Sequence, residues 1–289
     1  MSNATPTPDP AANPRTLAGS GAFLAFLDRL GRPPVHLLGY VGGIARLLVQ
    51  TLVWIWRGLI QRRVRFGRMA LYSQIVRVGV RSVGVIALVS FCIGLILALQ
   101  MAPPLENFGQ VDQVATIISI AVVRELGPLI SAIVLTGFAG ASIAAELGTM
   151  VVGEEIEALE AHALNPVRFL VMPRVMATTG CMIVLCTMAE LISIGGGWWF
   201  GVVGLDIPHG VYKTNTLDIL DLNDYFTGIF KAGVFGMIIG AIACYNGLHV
   251  TGGAAGVGRA TTNTVVHCIE AIIYTDLLFT AVFYVLGWT

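Results

Sequence analysis

Long runs without charge dominate the chain. Ser82–Leu105 and Leu126–Ala145 hold no charged residue, Val175–Leu205 holds only Glu190, Ala232–Gly258 holds none, and Ala271–Thr289 holds only Asp276. About 20 apolar residues in a helix cross the roughly 30 Å of a bilayer's hydrocarbon. Within lipid only helices and closed barrels satisfy every backbone group. The five runs therefore predict five membrane-spanning helices in an all-α integral membrane protein. An earlier run, Val35–Ile60, is apolar but carries Arg46 and Gln50. It is flanked by Arg29 and Arg32 on one side and by Arg57, Arg62, Arg63, Arg65 and Arg68 on the other. As a span it would place one basic cluster outside, against the bias of Lys and Arg toward the cytoplasm. A helix lying on the cytoplasmic surface, with Trp54 and Trp56 at the interface, avoids that cost. We expect this surface helix rather than a sixth span.

The second region is too long for one simple span: Gln113–Met150 would measure about 57 Å as a helix. Gly127-Pro128 lies inside it, and proline removes a helix hydrogen bond, so a break or kink is expected there. Charge bias sets the orientation. The arginines up to Arg81 and the pair Arg168 and Arg174 fall on the cytoplasmic side. Glu106, Asp112 and the acidic stretch Asp206–Asp224, with its one Lys213, fall outside. The N-terminus is then cytoplasmic and the last span ends outside.

Composition agrees. Hydrophobic residues make up 56% of the 289 and charged residues 12%, with mean hydropathy +0.80. Soluble domains carry about 25% charged residues, so a single soluble globule, a disordered protein and a nucleic-acid binder are excluded. Seventeen Lys+Arg balance seventeen Asp+Glu, so net charge says nothing of partners. Five cysteines without a CxxC pair read as small buried hydrophobes. Residues 1–20, rich in Pro, Ala, Thr and Asn, lack the basic-then-apolar order of a signal peptide and are expected to be a disordered cytoplasmic tail. Residues 21–70 are expected to form the interfacial amphipathic-helix region and 71–289 the domain of five spans.

Several groups are candidates for chemistry. Arg124-Glu125 sits where ionisable residues are costly and mark a pathway or a site. It is either a contact for a charged headgroup near a cavity mouth or a structural ion pair. Glu146 and Lys231 are expected near the membrane boundaries, with side chains snorkelling outward. Glu190 and Asp276 lie deeper and either line a polar cavity or bond a neighbouring helix. Ala232, Gly236 and Gly240, Gly197 and Gly201, and the cluster Gly137, Gly140, Ala141, Ala144 and Ala145 make faces for close helix packing, within the chain or in a dimer. Glu154–Asn165, stopped by Pro166, reads as a short amphipathic helix between two spans. Its Ile156–Leu159 stripe either docks into a soluble partner or rests on the membrane. Gly252–Thr262 has glycines spaced as in a phosphate loop, but Arg259 replaces the required Lys and Ala260 the Ser or Thr. It reads as a flexible cytoplasmic loop, and the chain has no nucleotide site of its own. The five histidines show no metal-ligand spacing, and no nucleophile–base pair stands out.

The run RELGPLISAIVLTG from Arg124, followed from Ala139 by AGASIAAELGTMVVGEEIEALEAHALNPVRFLVMPR, and the segment GRATTNTVVHCIEAIIYTDLLFT of Gly258–Thr280 closely resemble the MlaE (YrbE) permease family. The resemblance extends from about Arg57 to the C-terminus. It implies the permease subunit of an ABC transporter for lipids: a homodimer in the bacterial inner membrane, each protomer with an interfacial helix and five spans. It also implies the partners: a cytoplasmic ABC ATPase (MlaF-like) that binds the ATP and Mg, a periplasmic MCE-domain hexamer (MlaD-like), and in many species a STAS-domain protein (MlaB-like). No cofactor is implied for this chain. Such systems move phospholipid between inner and outer membranes and maintain outer-membrane asymmetry. By the same resemblance Leu97, Gln100, Leu105, Phe108, Arg124 and Glu125 line a lipid cavity at the dimer interface. Glu154, Glu155, Ile156, Leu159 and Leu164 belong to the coupling helix that enters the ATPase, and Asp276 matches an acidic position in the last span. Many members carry Arg before the Ala-Gly of the second span, where this chain has Phe138. Two alternatives remain: a scaffold that anchors the ATPase and the ring without binding lipid, and an intramembrane enzyme.

Overall fold

A computed structural model describes residues 35, 37–57 and 68–287. The expected tail at residues 1–20 and the basic cluster at 61–65 lie outside the described residues. The chain divides into two units, Met1–Arg46 and Leu47–Thr289, and the bundle below belongs to the second. Helix α1 is Leu37–Arg57, α2 Met69–Asn107, α3 Val111–Val152 and α5 Val167–Val203. Helix α4 is the short Glu155–Ala161, α6 is His209–Ile219, α7 Leu222–Leu248 and α8 Gly253–Leu286. Six of these, α1, α2, α3, α5, α7 and α8, are long and apolar enough to cross a membrane. They are the five expected spans together with α1, which length and composition alone do not distinguish from them.

Local chemistry explains the boundaries. Asp221 and Asp224 cap α7 reciprocally, each side chain bonding the other's backbone N–H. Glu155 and Glu157 occupy the first turn of α4, where the helix dipole favours acids. That helix stops at Ala161, before Pro166. Leu164 N–H donates to Leu159 C=O and Ala163 N–H to Glu160 C=O, with Ala163 at φ 58°, which is a Schellman closure. Leu164 thus lies outside the helix that the sequence placed it in.

Two expectations are corrected. The stretch Ala232–Gly258 is not one span: α7 ends at Leu248, and Gly252 (φ 88°) and Gly253 (φ 64°) turn the chain into α8. Residues 253–262 are therefore the first turns of the last span and not a flexible loop. Only the two glycines need the left-handed region, and Ala254, Ala255 and Ala260 after them favour helix. At Gly127-Pro128 the expected irregularity takes the form of a change of helix type and not of a break. A π-helical turn, Val122–Leu126, precedes the proline and the helix continues. Similar turns interrupt α2 at Val76–Val80, α3 at Thr136–Gly140 and the start of α5 at Val167–Val171.

Helices α5 and α7 form the centre. Helix α2 packs along α5, and α7 packs on α5, α8 and the second half of α3. Close approach depends on missing side chains. A Cβ at Gly94 would run into the Ser193 backbone, and one at Gly236 would lie 2.8 Å from Met182 Cβ and Thr179 Cα. Gly197 and Gly201 face Tyr212 of α6. These small-residue faces are thus used inside the chain. Around Gly137, by contrast, none of the described residues lies within 4 Å of a Cβ position.

Candidate functional site

Three helices bring five charges together. The π-helical turn of α3 presents Arg124 and Glu125, α7 presents Asp224 and Lys231, and α8 presents Asp276 and Thr280. Asp224 and Lys231 are seven residues apart and Asp276 and Thr280 four, so each pair shares one helix face. Arg124 Nη2 donates to Asp224 Oδ2 at 3.2 Å, and its Nε lies 2.9 Å from Oδ1. Lys231 Nζ donates to Glu125 Oε1 at 2.8 Å and to Thr280 Oγ1 at 3.2 Å. Asp276 Oδ1 lies 3.0 Å away, within ion-pair range but off the line of a hydrogen bond. Thr280 Oγ1 donates to Glu125 Oε1 at 2.8 Å.

Pro128 takes part in this arrangement. It has no N–H, so the carbonyl one turn earlier, at Arg124, is open. Lys231 Nζ donates to that carbonyl at 3.3 Å. Lys231 is 1% exposed and Asp224 2%, which corrects the expectation that Lys231 snorkels outward from a membrane boundary. Its ammonium is the hub of the cluster. Two cations face three carboxylates, and the ion pairs within the chain leave Arg124 and Glu125 about one third exposed.

The cluster opens on a cavity of about 120 Å³ lined by Ile120, Ala121, Arg124, Glu125, Thr227, Lys231, Thr280 and Phe283. A larger apolar groove of about 660 Å³ adjoins it, sharing Thr227 and Phe283 and adding Asn223, Phe226, Ile229 and Phe230. Phe283 stacks on Phe279, which meets Phe230 edge-on, and Lys231 Nζ lies 5.9 Å from the Phe283 ring centre. A polar end joined to an aromatic groove suits an amphiphile.

Of the expected lipid-site residues, Arg124 and Glu125 are in this cluster, as is Asp276. The others are elsewhere in the protomer. Leu97 and Leu105 pack against the core patch of Ala98, Val114, Ile118 and Tyr212, while Gln100 and Phe108 are exposed, Phe108 at 79%. Sequence reasoning missed Asp224, Lys231 and Thr280. The signal was a lone lysine at the head of an otherwise charge-free run. Glu190 forms a separate buried point. Cys186 Sγ donates to its Oε1 at 3.1 Å, and the carboxyl sits against Gly127 and Gly228. On the segment expected to couple to an ATPase, Glu154, Glu155 and Leu164 are exposed, and Ile156 and Leu159 are half-buried.

Comparison with known proteins places this geometry. A family model described as "Permease MlaE" matches residues 71–282. The chain belongs to the MlaE permease family. It is 39% identical over 211 residues to a probable ABC transporter permease protein of Rickettsia felis, covering 73% of this chain and 82% of that protein. A probable ABC transporter permease protein of Synechocystis is 31% identical over 227 residues, covering 78% and 84%. One of Pyropia yezoensis is 31% identical over 229 residues, covering 79% and 87%. The MlaE match takes in every residue of the charge cluster and of the segment around α4, whereas α1 precedes it.

Proposed function

We propose that this ABC transporter permease moves phospholipid between the inner and outer membranes of a bacterium, so maintaining outer-membrane asymmetry, with ATP hydrolysed by a separate cytoplasmic subunit. The carrying observation is the buried charge cluster opening on an aromatic groove. Acyl chains gain about 0.8 kcal/mol per buried CH₂ in such a groove. Arg124, at the exposed edge of the cluster, has guanidinium donors for a phosphate headgroup, a charge-assisted contact. The chain works as a homodimer in the inner membrane. Helix α4 docks into the ATPase through Ile156 and Leu159. A periplasmic MCE-domain hexamer receives or delivers the lipid, and a STAS-domain protein binds the ATPase. Helix α1 lies on the cytoplasmic surface, where Arg57 and Arg168 stack on Trp54 at 5.6 and 5.7 Å.

The test is reconstitution of the permease with its ATPase in vesicles holding a fluorescent phospholipid. Wild type should transfer the probe only with ATP. Arg124→Gln, which keeps a donor but removes the charge, should slow transfer about tenfold or more, as loss of a charged hydrogen bond of about 1.5–3 kcal/mol implies. A complex that hydrolyses ATP yet neither binds nor moves phospholipid would overturn the proposal and favour a scaffold.

A further inference from the structure

We propose that Glu146 is the positioning residue that makes the coupling segment a rigid lever, and this rests on reading α4 as the ATPase-docking helix. The chain leaves the bundle at the end of α3, forms α4 and its Schellman turn, and returns at the start of α5. Glu146 lies about two turns before the exit, and Arg174 about two turns after the return. Arg174 Nη2 is 3.0 Å from Glu146 Oε1. The other carboxylate oxygen, Oε2, accepts from Arg77 of α2. One carboxylate thus ties the two stems of the coupling hairpin to each other and to the first long span.

The placement of the partners gives the clamp its purpose. Arg77 lies within the π-helical turn Val76–Val80. Arg174, whose side chain is 6% exposed, donates through Nη1 to Leu170 C=O at 2.8 Å, inside the π-helical turn Val167–Val171. Such turns depart from the regular helix ladder and often mark functional positions. Without Glu146 the two stems are free to move separately, and a displacement of α4 is absorbed in these turns. With Glu146 the stems move together. The displacement then reaches α2 directly and α5 through Arg174, and α5 is in contact with α7, which carries Asp224 and Lys231.

Two readouts test this. In reconstituted vesicles, fluorescent phospholipid moved per ATP hydrolysed is measured for wild type, Glu146→Gln and Arg77→Gln. In the permease alone, in a cysteine-free background, spin labels at Ala161→Cys and Leu88→Cys report the distance between the coupling helix and α2. Glu146→Gln should keep assembly and ATP hydrolysis, lower the transfer ratio at least about fivefold, and broaden the distance distribution. Arg77→Gln should do the same to a smaller extent. An unchanged ratio and an unchanged distribution overturn the clamp, whereas a purely structural role would lower the yield but leave the ratio of the assembled fraction intact. If wild type neither holds an ATPase nor moves lipid, the transport reading fails, and the distance measurement still decides the clamp. If Glu146→Gln does not fold, Arg77→Gln, which removes one contact of the two, carries both readouts.

Discussion

Lys231 and Tyr212 show two ways a polar side chain is kept in an apolar place. Lys231 is buried with its ammonium on Glu125, Asp276, Thr280 and the carbonyl that Pro128 leaves open. Removing one partner of such a group leaves an uncompensated charge, a loss of about 3–5 kcal/mol in soluble proteins. Tyr212 is 1% exposed and its hydroxyl has no hydrogen-bond partner among the described residues. It lies on α6, outside the spans, and burial pushes its phenol up to about 12 from an ordinary value of 10.0. The folded state thus holds the proton more tightly than the unfolded state. Tyr212 therefore contributes full stability below about pH 10 and loses it as pH rises toward 12, by about 2 kcal/mol over the window. Thermal unfolding in detergent at pH 9 and pH 11.5 should show this extra loss in wild type and not in Tyr212→Phe. At pH 8 the Phe variant should be at least as stable, since the hydroxyl it lacks was unpaired. An identical pH slope in both proteins would rule the account out.

Among the elements, the glycines separate into those that a neighbour needs and those that none does. Gly236→Ala would place a methyl 2.8 Å from Met182 Cβ on α5, and overpacking of this kind costs about 1–3 kcal/mol. Gly137→Ala meets none of the described residues within 4 Å and gains up to about 1 kcal/mol of helix propensity. Melting temperatures of the two variants should move in opposite directions, and a Gly236→Ala protein as stable as wild type would mean that the α5–α7 crossing is loose. The same contrast shows what the sequence could convey. Charge-free runs located the five spans because lipid admits little else, and Arg124, Glu125 and Asp276 stood out as costly exceptions. Helix ends were harder to place. At Gly252 and Gly253 two residues of positive φ turn the chain inside an unbroken apolar run, and hydropathy does not register a turn. Lys231 looked like a boundary residue because its partners come from α3 and α8, which only the assembled bundle brings together. The π-helical turns left no periodic signature, since each adds one residue within a helix that is otherwise regular.

On the scale of the whole molecule, charge sorts by side, and this predicts how the permease sits in the membrane. One end carries Arg77, Glu146, Arg168, Arg174 and the acidic α4. The other carries Asp112, Asp206, Asp218 and Asp221, with Lys213 on α6. Lys and Arg favour the cytoplasm, so α4 is expected to face inward and α6 outward. Helix α1 resembles a span in length and composition, but Arg46 within it and the arginines after it favour the surface. Sidedness labelling separates these arrangements. In a cysteine-free background, a membrane-impermeant maleimide added to intact spheroplasts should label Thr214→Cys on α6 and leave Glu157→Cys on α4 unlabelled until the membrane is permeabilised. Val35→Cys, just before α1, should behave like Glu157→Cys if α1 lies on the inner surface, and like Thr214→Cys if it crosses. Labelling of Glu157→Cys from outside would invert the topology and remove α4 from the reach of any cytoplasmic ATPase.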